Sequence, residues 1–231
     1  MSREKSINAQ VKRAEELLPK IEEEYNNSLH SKNIDEDLKL DIQTFCGHLR
    51  SALDYLARDI VETQCPNANP KDRLYFPITP DSKTFQKMMN KSYPDLEVNC
   101  KPVYDQLKDV QPFETDDNKW LSQFNKINNE NKHNDLVEQT RTETKTVEVK
   151  SKTGGGSVSW GPGVTFGSGV SVMGVPIDPR TQMPIPNKTT TTTVTTWVDF
   201  KFDGINISAL ALLKQSLQEI SKLKDQILKE I

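Results

Sequence analysis

Two periods of side-chain patterning divide this chain, and the switch between them constrains the fold most. Leu38, Ile42, Phe45, Leu49, Leu53, Leu56 and Ile60 follow steps of three and four, the signature of one helix face. After His133 the step becomes two. Thr140, Thr142, Thr144 and Thr146 alternate with Arg141, Glu143 and Lys145, and Val147 and Val149 continue the odd-numbered face. After Gly204 the helical step returns in Leu210, Leu213, Leu217, Ile220 and Ile227. A chain written this way predicts an α+β domain: an antiparallel helical bundle with a β-ribbon or small antiparallel sheet inserted before a C-terminal helix that returns to it. At 231 residues it reads as a single domain. Residues 1–135 form the helical core, 136–203 the β insertion and 204–231 the last helix.

The pattern predicts helices near 3–29, 35–63, 116–132 and 207–230. Pro19 lies within the first and should kink or briefly break it, because proline removes a backbone donor and crowds the preceding turn. Asp35 is placed to cap the second helix. Between Cys65 and Gln111, six prolines cut the chain into loops and short helices. Arg73–Ile78 reads as an extended stretch crossing the bundle. Thr79–Lys91 reads as a short helix with Phe85 and Met88 inward, and Lys101–Val110 as another. A second β run, Thr189–Asp203, has Val194, Thr196, Val198, Phe200 and Phe202 on one face, expected to pack on the helices.

Residues 153–188 have the most unusual composition. Eight of the ten glycines lie between Gly154 and Gly174, and five of the 13 prolines between Pro162 and Pro186. Charges are sparse, yet Val158, Trp160, Val164, Phe166, Val170, Val172 and Val175 recur at near-alternate positions. A solvating linker stays soluble by being polar. Short strands or a partner-binding surface fit this segment better, and Trp160 and Phe166 are the residues expected to carry binding.

Composition excludes several classes. Thirty basic and 33 acidic residues leave a formal charge of −3, with no global drive toward nucleic acid or anionic lipid. No window reaches the apolar length of a membrane span, so no membrane association and a cytoplasmic location are expected. The three cysteines form no CxxC and no zinc spacing, so neither a metal nor a cofactor is expected. HExxH, GxSxG and Walker patterns are absent. Two polar clusters remain. One is the run from Asn125 through Asn128, Asn131, Lys132 and His133 to Asp135, which reads either as a helix-end cap or as a polar pocket. The other is His48 with Arg50, Asp54 and Arg58, the last three spaced by four, which reads as a surface ion-pair ladder or as part of the same site.

Several of these residues together carry a family resemblance. His48-Leu-Arg-Ser-Ala-Leu-Asp-Tyr-Leu-Ala57, Phe76-Pro-Ile78, Gln111-Pro-Phe113, Trp120-Leu-x-x-Phe-Asn125 and Asn131-Lys-His-Asn134 resemble a group of mostly uncharacterised bacterial and phage proteins. The helical core of that group is similar to HEPN-like bundles. The resemblance covers about residues 40–140. With it goes the reading of a non-catalytic interaction protein of bacterial or phage origin, linked to defence or anti-defence, with a protein partner; the composition of 153–188 makes the β insertion its expected recognition surface, and the C-terminal stripe offers a homodimer seam as an alternative to packing in the bundle. The resemblance implies two alternatives: a metal-independent RNase, or an RNA- or nucleotide-binding module. In the RNase reading His133 is the acid or base. Lys126 stands where that signature has arginine, and lysine lacks the bidentate fork. Binding in either reading falls to His48, Arg50, Arg58, Asn128, Asn131 and Lys132.

Overall fold

The computed structural model describes residues 2–28, 34–71, 73–133, 139–202, 205 and 207–231; the side chains of 131–133, 197 and 198 lie outside that description. The class is α+β, with helices, small antiparallel sheets and a C-terminal helix after the strands. The chain divides into two compact units, one of residues 1–140 with 201–231 and the other of residues 141–200.

The first unit is built on α1 (Glu4–Ser28), α2 (Glu36–Gln64), α6 (Lys119–His133) and α7 (Ala209–Leu228). The predicted stripe is the core: Phe45, Leu49, Leu53, Leu56 and Ile60 are all buried. Polar ties along the flanks give the helix directions. Arg3 reaches Asp59 and Glu62, Gln10 reaches His48, and Lys20 reaches Asp41, so α1 runs antiparallel to α2. Lys214–Glu22 and Lys224–Asn8 contacts set α7 antiparallel to α1. Helix α1 runs as one element through Pro19, where a kink or break is expected from sequence. Asp35 stands at the N-cap of α2 in extended conformation, but its side chain accepts no capping bond.

Between α2 and α6 the chain forms α3 (Ser82–Ser92), α4 (Leu96–Asn99) and α5 (Lys101–Asp109). Asp81 caps α3, accepting from the Thr84 amide at 2.8 Å. Phe85 points inward as expected, but its partner is Met89 rather than Met88. The cap fixes the helix start at Ser82, and a four-residue step from Phe85 reaches Met89 on the same face.

The second unit contains most of β1 (Gln139–Ser151) and β6 (Thr190–Phe202), and all of β2 (Ser157–Trp160), β3 (Ser171–Val172), β4 (Val175–Asp178) and β5 (Met183–Pro184). Their orders are β2-β1-β6 and β3-β4-β5. In the first sheet Val147 pairs with Trp160 and Val149 with Val158, antiparallel. The Gly/Pro-rich segment thus contains four short strands, β2 to β5, joined by turns and irregular stretches. Met173 and Gly174, both at positive φ (51° and 75°), form the two-residue turn joining β3 to β4, a conformation that matches strand twist and favours glycine. Val147, Val149, Trp160 and Ile177 make a small core, with Phe166, Val172, Met173 and Met183 packed against it. Among the described residues the even face of β6 is unevenly covered. Phe200 and Phe202 are buried, whereas Val194 is 44% exposed.

Candidate functional site

The strongest polar constellation lies in the helical unit, where α2, the extended stretch 73–79 and α6 meet. Its centre is Arg50. The guanidinium is buried and makes a two-pronged pair with Asp54 one turn along α2, Nε to Oδ2 at 3.2 Å and Nη2 to Oδ1 at 2.9 Å. Its remaining arm donates to Asn125 Oδ1 on α6 at 3.2 Å. Asp54 Oδ1 also accepts the backbone N–H of Phe76 at 3.0 Å, which pins the extended stretch to α2. A second clamp sits at the other end of that stretch. Gln111 is fully buried, accepts from the Thr79 N–H and hydroxyl, and donates to the carbonyls of Pro77 and Leu107. The Tyr93 hydroxyl donates to the Tyr75 carbonyl at 2.8 Å. Burial, and next the negative charge of Asp54, hold that phenol well above its ordinary pKa, so it remains a donor at neutral pH.

These bonds give the sequence motifs a shared physical basis. The Arg and Asp of the α2 motif, Phe76-Pro-Ile78, Gln111 and Asn125 belong to two hydrogen-bonded clamps that act on one stretch of chain. Main-chain polar groups in a buried non-helical stretch need partners, and these side chains supply them.

The clamped stretch forms one wall of a cleft of about 480 Å³. Tyr75, Ile78 and Met88 give it an apolar side. Arg50, Asp54, Asn125, Asn128 and Asn129 give it a polar side. The three asparagines are spaced by three and four along α6, so they share a helix face. Asn128 is only 2% exposed, and its Nδ2 has no hydrogen-bond partner.

The residues expected to form a site do not all converge here. Arg50 and Asn128 do. His48 turns toward α1, its Nδ1 2.6 Å from Gln10 Oε1. Arg58 is exposed and lines a separate cleft of about 290 Å³ with Cys65, Asn69 and Lys91. There, burial and the charge of Asp95 push the Cys65 thiol up to about 11, so it is not a nucleophile at neutral pH. Of the expected ladder of Arg50, Asp54 and Arg58, the first rung forms, with Arg50 buried and Asp54 partly exposed rather than both solvated. Lys126 is about half exposed, with Nζ 3.9 Å from Glu130 on the next turn. The side chains of Asn131, Lys132 and His133 fall outside the described residues. In the β unit, Trp160 is buried edge-on against Phe166, with centroids 5.0 Å apart. Both rings therefore support the small core, and Trp160 presents little surface to a partner.

Among the described residues, no group of three or more His, Cys, Asp or Glu is placed to hold a metal, and no helix is long and apolar enough to cross a membrane. Searches against protein-family models, curated proteins and solved structures return no match to this chain.

Proposed function

We propose that this protein is a non-catalytic interaction protein that recognises an extended segment of another protein through its β unit. The distribution of exposed apolar side chains carries the reading. Eight large ones stand out among the described residues. Five of them, Val158, Val164, Val170, Ile185 and Val194, belong to residues 141–200, about a quarter of the chain. An excess of exposed apolar side chains in one unit supports a docking role for it. Strand β6 supports the mode of docking. It ends the order β2-β1-β6, and residues 190–198 contain no charge, proline or glycine. Sheet edges are usually blunted by lysine or proline. An edge without those devices is a template for an added strand, in which main-chain bonds provide affinity and alternate side chains provide specificity.

The test is a pull-down from the source cells with wild type, Thr192→Pro and a deletion of 154–187, with far-UV circular dichroism as the folding control. Proline removes a donor and distorts the edge. The expected result is one partner held by wild type and lost by both variants while the helical signal is unchanged. A partner held equally by all three places recognition outside the β unit and removes this reading.

A further inference from the structure

We infer that the cleft at the C-terminal turns of α2 and α3 binds a free α-amino acid with an aliphatic side chain, its carboxylate held by Arg58 and Lys91 and its ammonium by Glu62. This is independent of the β unit. The first ground is a pair of uncommitted cations. Arg58 on α2 and Lys91 on α3 line the same cleft, and neither has a hydrogen-bond or ion-pair partner among the described residues. Two cations that reach one concavity from separate helices suit a single carboxylate, which each can meet with a charge-assisted bond. The second ground is the opposite charge beside them. Glu62 lines the cleft, and its two oxygens take bonds from Arg3 at 2.6 and 2.8 Å. Those bonds hold its carboxyl below the ordinary range, and the charge of Arg58 adds to this. Each oxygen keeps a lone pair for a second donor. The last carbonyls of both helices lie at this end too, where the dipole is negative. A simple anion would face those groups unmatched, whereas an ammonium on the same ligand pairs with them.

The remaining walls and the size narrow the class. Val61, Pro66, Pro70 and Leu74 give the cleft an apolar side, which takes an aliphatic side chain out of water. The volume of about 290 Å³ is room for about ten water-sized groups, and leucine has about that many heavy atoms. No aromatic ring lines the cleft, so a nucleobase would find no face to stack on. The ligand that matches every wall is therefore small, carries both charges on one carbon, and has a branched hydrocarbon tail.

The probes are L-leucine, its two half-ligands isocaproate and isoamylamine, and AMP, titrated into the intact protein by calorimetry, with amide chemical shifts to locate the site. At ordinary ligand efficiency leucine should bind with Kd on the order of 1 mM. It should shift amides of residues 58–71 and 91–92. Each half-ligand should bind about tenfold more weakly or worse, since each leaves one charge of the site unmatched. Arg58→Gln and Lys91→Gln, both at exposed positions, should each weaken leucine about tenfold at an unchanged melting temperature, and either serves if the other does not fold. Four results would overturn the inference: no saturable binding of leucine up to about 20 mM, twenty times the expected Kd; isocaproate binding as tightly as leucine, which removes the ammonium contact; unchanged affinity in either folded variant; or AMP binding tighter than leucine, which moves recognition to a phosphate.

Discussion

Gln111 shows how much one side chain can hold in place. Its carboxamide uses both polar ends: the oxygen takes two bonds from Thr79, and the nitrogen gives one each to Pro77 and Leu107. All of this is out of water. Replacing it with Ala leaves the Thr79 N–H and the Pro77 carbonyl buried without partners, at about 1–3 kcal/mol for each group. Gln111→Ala should therefore lower stability by about 3 kcal/mol or more in urea unfolding. Gln111→Glu should not rescue it, because a carboxylate turns an acceptor toward two carbonyls. A loss below about 1 kcal/mol would mean that water takes over these bonds and the clamp is not structural. The same reasoning explains Asp54, whose carboxylate does for Phe76 what Gln111 does for Thr79.

At the scale of elements, helix α2 is the scaffold of the helical unit. Its apolar stripe is buried along its length, and its polar flank carries Arg50 and Asp54 into the cleft. Leu53 sits between those two functions and is 1% exposed. Leu53→Ala should cost about 2–5 kcal/mol by chemical denaturation, from lost transfer energy and the cavity left behind. A value under about 0.5 kcal/mol would show that neighbouring side chains collapse into the space. Strand β6 contrasts with α2. Its alternation is regular in sequence, yet Val194 is exposed and Phe200 buried. The pattern sets which residues share a face, and the extent of the covering layer decides how many of them lose contact with water.

The whole molecule is two compact units on one chain, and each has its own apolar core. The smaller one centres on a cluster of four buried residues with four partly buried ones packed on it, so it has little margin. Trp160→Ala should remove about 3–5 kcal/mol from the β unit and open it, while the helical unit stays folded. Limited proteolysis should cut the variant within residues 141–200 and leave the rest resistant, and the far-UV helical signal should persist. A single cooperative loss of both units would show that they fold as one.

Local sequence determined the element types and most of the bundle core. The 3.6 and 2.0 periods are properties of single segments, and burial of one face follows from them directly. It also singled out Trp160 and Phe166, but as residues expected to carry binding, whereas the fold packs the two rings on each other in the small core. Within the polar clusters, Arg50 and Asp54 were legible as a pair because they lie one turn apart on a helix. Their bonds to Asn125 and Phe76 were not, because 75 and 22 residues intervene in sequence and only packing closes those distances. Likewise nothing local separates Asn128 from Asn129. Tertiary structure alone buries the first to 2% and leaves the second exposed, and that difference turns one asparagine of a polar run into a buried unmet donor.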